Sequence, residues 1–227
     1  MPAHLAAQNG HEGELKFLHA VVPETLSSKA KDGRMPSHCA ALTGHVAVLK
    51  FLLIVVPETL SSKDDGGKMP SQRAALSGHV GVLKFLHDVV PESLSSKDNK
   101  GWMPSHCAAG AGHEGVLKFL RDVVPETLSS KDIEEGMPSH SAAVNGHEGV
   151  LKFLHAVVPE TLRSKANNGA MPSHGAAAAG HEGILKFLHA VVPETLSSKD
   201  NDGWMPSHRA AANGHEGAIQ WCSEVPP

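Results

Sequence analysis

No apolar run in this chain approaches the roughly 18 residues that suggest a membrane span; the longest, Phe51 to Val56, is six residues. The start, MPAHLAAQNG, lacks the charged and apolar regions of a secretion signal. No Asn-x-Ser/Thr sequon occurs. A formal charge of −4 offers no basic stripe for a polyanion, so nucleic acid is not an expected partner. Together these absences point to a cytoplasmic or nuclear protein without membrane contact. Only three cysteines occur, Cys39, Cys107 and Cys222, the first two in equivalent positions of separate copies of a repeat. If copies stack at about 8–10 Å, Cys39 and Cys107 lie roughly 20 Å apart. A disulfide needs Cα atoms within about 7 Å, so no bridge between them is expected, and no zinc site either.

What is present is a repetition. Met-Pro recurs at residues 1, 35, 69, 103, 137, 171 and 205, a constant spacing of 34. The copies span 1–34, 35–68, 69–102, 103–136, 137–170, 171–204 and a partial 205–227. A fixed period of this length marks a solenoid in which one supersecondary unit stacks on copies of itself. With 41% apolar and 19% charged residues, the chain can bury a core and keep a wet surface. The constant register predicts one array over 1–227 without a linker.

Residues 103–136 serve as the type copy. Pro104 suits the first turn of a helix, where its missing N–H costs little. That helix ends at Gly112, the expected left-handed residue, and Gly10, Gly44, Gly78, Gly146, Gly180 and Gly214 hold the same position. A second helix carries Val116, Leu117, Phe119, Leu120, Val123 and Val124 on more than one stripe, so it is buried on several sides. Pro125 ends it. Leu128 is expected to plug the core from the following loop, before a polar turn that leads into the next Met-Pro.

These residues resemble the ankyrin repeat family. Its Thr-Pro-Leu-His-x-Ala-Ala-x-x-Gly-His opening appears as Met35-Pro36-Ser37-His38-Cys39-Ala40-Ala41-Leu42-Thr43-Gly44-His45. Its Val-Lys-x-Leu-Leu segment appears as Leu49-Lys50-Phe51-Leu52-Leu53, and its turn as Lys97-Asp98-Asn99-Lys100-Gly101. The resemblance covers all six full copies and most of the seventh. It implies an all-α solenoid of stacked helix-turn-helix units with protruding turns or short β-hairpins. The tetratricopeptide repeat shares the period but needs two long helices and a tyrosine-bearing signature, and this chain has no tyrosine.

Departures from the pattern set expectations of their own. Methionine replaces the capping Thr in every copy and cannot cap; Met35 and its equivalents are expected to fill core space left by Ser in place of Leu. The turn Ile133-Glu134-Glu135-Gly136 has a displaced glycine and is expected to be irregular. Gln72-Arg73 stands where other copies place His, so weaker local pairing is expected there.

The 17 histidines fall into three positions of the repeat. His4, His38, His106, His140, His174 and His208 hold the first; His11, His45, His79, His113, His147, His181 and His215 the second; His19, His87, His155 and His189 the third. The first two are seven residues apart in every copy that carries both, about two helical turns or 10 Å. Zinc ligands must sit near 2 Å from one ion, so the expected role is hydrogen bonding to loop backbone, locking adjacent copies. No catalytic constellation or phosphate-binding loop is found: Asp65-Gly66-Gly67-Lys68 lacks the spacing. Neither a cofactor nor an enzymatic activity is expected.

The frame is constant while the turn tips, the residue after the first histidine and the two residues before Gly-His vary. In ankyrin proteins these positions line the concave groove and tips that grip partners. The expected function is a protein–protein interaction scaffold, with Arg34, Leu42, Lys68, Leu76, Lys100, Trp102, Ile133 and Trp204 as candidate contacts. The alternative is a structural spacer or regulatory fragment of a longer chain. The chain is expected to be monomeric or to associate end to end.

Overall fold

The computed structural model describes residues 1–223. Each repeat supplies a helix pair. The pairs are α1 (Pro2–Gln8) and α2 (Glu12–Val21), α3 (Pro36–Thr43) and α4 (Val46–Val55), α5 (Pro70–Leu76) and α6 (Val80–Val89), and α7 (Pro104–Gly110) and α8 (Glu114–Val123). They continue as α9 (Pro138–Val144) and α10 (Glu148–Val157), α11 (Pro172–Ala178) and α12 (Glu182–Val191), and α13 (Pro206–Ala212) and α14 (Glu216–Ser223). First helices of adjacent repeats pack far more closely than second helices do, so the stack curves with the first helices on the concave side. The architecture is an all-helical repeat solenoid. No strand occurs among the described residues; the tips are hydrogen-bonded turns rather than short β-hairpins.

Small residues permit that close approach. Ala40, Ala74, Ala108, Ala142 and Ala176 are fully buried between first helices, as are Ala41, Ala75, Ala109, Ala143 and Ala177. Leu49, Leu52, Leu83, Leu86, Leu117 and Leu120 of the second helices are fully buried beside them. The second helix stops where Pro125 begins a short 3-10 turn, Pro125–Ser129, and Leu128 within it is fully buried, as its position in the sequence predicts. Equivalent turns start at Pro23, Pro57, Pro91, Pro159 and Pro193.

This turn gives the serine that follows each interior Met-Pro its partner. The Ser105 hydroxyl donates 2.7 Å to the Thr127 carbonyl, both buried, and Ser37, Ser71, Ser139 and Ser173 bond in the same way to Thr59, Ser93, Thr161 and Thr195. A 3-10 turn leaves carbonyls that a helix would satisfy, and a buried one without a donor costs about 1–3 kcal/mol. Serine therefore fastens the 3-10 turn to the first helix. Met35 and Met69 are buried and Met103, Met137 and Met171 half-buried, whereas Met1 is exposed. The methionines of the interior repeats thus cover the core, and none caps its helix with the side chain.

The histidines of the first position supply the missing cap. His38 Nδ1 accepts the Met35 N–H at 3.2 Å, and its Nε2–H donates 3.0 Å to the Lys68 carbonyl. His106, His140 and His174 repeat the pair of bonds. One nitrogen accepts and the other donates, so the ring is the neutral Nε2–H tautomer. Burial lowers the pKa of all four, that of His38 to about 4. Repeat three corrects the expectation of weaker pairing. Gln72 Oε1 accepts the Met69 N–H at 2.7 Å, and its Nε2 donates to the Trp102 and Ser96 carbonyls. The amide carries the same acceptor and donor as the imidazole, with a second donor hydrogen to spare.

Histidines of the second position join one repeat to the one before. His45, His79, His113, His147 and His181 each donate 3.0 Å to the carbonyl 37 residues back, on Gln8, Leu42, Leu76, Gly110 and Val144. Their rings lie over the left-handed glycines. A Cβ on Gly112 (φ +80°) would sit 2.6 Å from the nearer nitrogen of His147. Glycine is therefore required twice over, by backbone conformation and by the neighbouring ring.

Candidate protein-binding surface

The turn tips are built around a buried aspartate. Asp64 Oδ1 accepts the backbone N–H groups of Gly66 and Lys68, both at 2.9 Å. Asp98, Asp132 and Asp200 close their own turns in the same way. The second oxygen of each takes a donor from one of two places. Lys68 Nζ reaches Asp98 at 2.5 Å and the Trp102 indole N–H reaches Asp132 at 3.0 Å, each from the end of the preceding repeat. Arg73 reaches Asp64, and Arg209 reaches Asp200 at 2.6 Å, each from the first helix that follows. Desolvation acts to raise the pKa values of Asp64 and Asp200, but the arginine and backbone N–H bonds outweigh it and hold both below the usual carboxylate range. These carboxylates stay charged and fix the tips.

Repeats one and five carry Ala30 and Ala166 in place of this aspartate. There a carboxylate or amide two residues on substitutes: Asp32 accepts the Arg34 N–H, and Asn168 the Ala170 N–H. The turn at 133–136 keeps its register despite the displaced glycine. Glu135 takes the left-handed conformation (φ +60°) that glycine takes in the other tips, and it is the sole non-glycine residue among the described ones with positive φ.

The eight residues picked from the sequence divide accordingly. Lys100, Trp102 and Ile133 come together, lining with Asp132 and Glu134 a hollow of about 320 Å³ between the tips of repeats three and four. Ile133 is 62% exposed there. Trp102 is half-buried, bonded to Asp132 and nearly parallel to the His106 ring, so one face of it is taken by the frame. Arg34 lies apart, paired with Asp32 at 2.6 Å near Met1 and Lys31. Lys68 is held by Asp98. Leu42 and Leu76 occupy equivalent positions on α3 and α5, with Leu42 half-buried and Leu76 39% exposed. Trp204 is 40% exposed beneath the Arg209 guanidinium, 4.9 Å from its ring centre.

Sequence reasoning passed over a second hollow, of about 280 Å³ and mainly apolar, on the concave face at repeats five and six. Val144, 51% exposed, and His140 border it, together with Ala166, Ala170, His174 and Gly175. A signal was available, because three variable positions carry Ala, Ala and Gly in close succession.

Reactive groups are scarce on this surface. Burial pushes the Cys107 thiol up to about 12 and the Cys222 thiol up to about 11, and it raises that of Cys39. Among the described residues no group of three or more His, Cys, Asp or Glu could hold a metal ion, and no helix is long and apolar enough to cross a membrane. No protein-family model matches the chain, and no curated protein matches it by sequence.

Proposed function

We propose that the chain is an ankyrin-type recognition scaffold that grips a protein partner through its concave face and turn tips, without catalysis or cofactor. What supports this reading most is the division of labour within each repeat. The histidines, serines, glycines and tip aspartates are committed to backbone bonds inside the frame. Residues that differ between copies include exposed apolar groups at Leu76, Ile133, Val144 and Trp204. Apolar side chains held on a rigid frame bind at low ordering cost, and a few such anchors dominate protein interfaces.

The test uses variants that leave the frame intact. Leu76→Ala, Lys100→Ala and Ile133→Ala combined should leave the melting temperature unchanged and weaken binding of a captured partner at least about tenfold, or roughly 1.4 kcal/mol. A partner that binds wild type and variant equally well would place recognition elsewhere. No saturable partner from native extract would remove the scaffold reading altogether.

A further inference from the structure

We propose that the convex back of repeats two and three docks an acidic amphipathic helix of a partner, on a surface separate from the concave face and tips. One outward stripe, of residues four apart, recurs on each second helix. It carries Glu12, Lys16 and Ala20 on α2, Glu114, Lys118 and Asp122 on α8, and Glu148, Lys152 and Ala156 on α10. On α12 it carries Glu182, Lys186 and Ala190. On α4 the same stripe is Val46, Lys50 and Ile54, and on α6 it is Val80, Lys84 and Asp88. The lysine is engaged everywhere except in those two repeats. Lys16, Lys118 and Lys152 each pair at 2.6 Å with the glutamate one turn before, and Lys186 lies 5.6 Å from the centre of the Trp221 ring. Lys50 and Lys84 are exposed and have no carboxylate partner among the described residues.

The two valines rest on the next repeat. Val46 and Val80 each place a methyl 3.9 Å from where a Cβ on Gly81 or Gly115 would be, and both stay partly exposed. Ile54, two turns beyond Val46, is 80% exposed, more than any other large apolar side chain among the described residues. A single exposed apolar residue is ordinary. Here three share one face with two unengaged lysines, and the exchange runs against local preference. Valine for glutamate gives up an ion pair, a favourable charge at the helix start and helix propensity together. Such a loss, with nothing gained inside the frame, points outward. Asp88, one turn beyond Lys84 but not paired with it, is the one carboxylate on the two stripes. Two lysines against one aspartate leave this face positive, so it steers towards an acidic partner. Val46 and Ile54 lie about 12 Å apart along α4, about two turns of a helix laid alongside. A partner helix with apolar residues at that period meets both, while carboxylates on its borders reach Lys50 and Lys84.

Titration of the full chain with a labelled helix-forming peptide of Leu, Ala and Glu, apolar along one face and acidic along both borders, tests this directly. Fluorescence anisotropy should show saturable binding that weakens with added salt, with NMR shifts at the Val46 and Ile54 methyls. A counterpart peptide with Gln in place of Glu should bind at least about tenfold more weakly, or roughly 1.4 kcal/mol. Val46→Glu with Val80→Glu restores the pair that repeats one, four and five carry, and should weaken the acidic peptide by at least as much. Ile54→Ala, which copies repeats one, five and six, should weaken it as well, and it covers the case in which the double variant misfolds. The combination of Leu76→Ala, Lys100→Ala and Ile133→Ala should bind the peptide as wild type does. No saturable binding, equal binding of the glutamine peptide, or undiminished binding by folded back-face variants would overturn the proposal. Sedimentation with phosphatidylserine vesicles that disappears in the double variant would reassign the face to a lipid surface. None of these outcomes depends on the concave face, so either reading can fail while the other stands.

Discussion

Gln72 holds the same pair of backbone groups in its repeat that His38 holds one repeat earlier. Both accept a methionine N–H and donate to the carbonyl 30 residues on. The glutamine does so without a titratable proton, and the chain thereby contains its own acid-resistant version of the link.

Acid stability should follow from that difference. His38 is neutral when folded, with a pKa of about 4 against 6.5 unfolded. Burial is the largest cause; the Lys68 carbonyl and the Asp64 charge oppose it. A group with a lowered folded pKa that is basic binds protons first in the unfolded state. Its stabilising effect is complete above pH 6.5 and is lost as the pH falls towards 4, by roughly 3 kcal/mol at most at about 1.4 kcal/mol per unit. His106, His140 and His174 act in the same direction. Replacing His38, His106 and His174 by Gln should flatten the urea-derived stability profile between pH 6.5 and 4. A triple variant as acid-sensitive as wild type would contradict this assignment.

Gly112 and Gly214 share a left-handed backbone but differ in what lies above them. A Cβ on Gly112 meets the ring of His147, whereas nothing lies within 4 Å of one on Gly214. Alanine at Gly214 should cost the conformational penalty alone, about 1–2 kcal/mol. Alanine at Gly112 should cost a further 1–3 kcal/mol or so from overpacking. Equal losses in melting experiments would mean that the histidine yields freely.

Glu135 is a strained residue in a glycine's place. Glu135→Gly gives up a half-exposed ion pair with Lys131, worth at most about 1 kcal/mol, and relieves about 1–2 kcal/mol of backbone strain. A net gain near 1 kcal/mol should raise the melting temperature by roughly 2–4 °C. A lowered melting temperature would show that the pair outweighs the strain.

Trp102 and Trp204 should respond differently to the loss of their indole N–H. Trp102→Phe leaves Asp132 without its donor and should destabilise the chain by about 1 kcal/mol. Trp204→Phe keeps a ring beneath Arg209 and should change stability by less than about 0.5 kcal/mol. Calorimetry of the two variants distinguishes a framework tryptophan from a surface one.

Much of the solenoid could be read from residues with strong local signatures. Gly112 after a short run, Pro125 after a longer one and Leu128 beyond it each fix one event in the chain, and the period repeats them. The Ser105–Thr127 link could not be read, because a backbone carbonyl carries no mark of its acceptor role. Gln72 looked like a defect because residue type hides what donors and acceptors reveal. The sequence leaves Trp102 open as a partner contact or as cover for the neighbouring turn, because its own partner, Asp132, lies about one period away. Variability between copies and residue type point to the eight candidate contacts, but neither separates the exposed Ile133 from Lys68, held by Asp98.

The cross-links between side chains and backbone described above span no more than 37 residues, the reach of His45 back to Gln8. On the ribosome, each emerging copy can therefore complete the fastening of its predecessor as soon as it clears the exit. Assembly proceeds like bricklaying from the amino end, and no course waits for the last one to arrive.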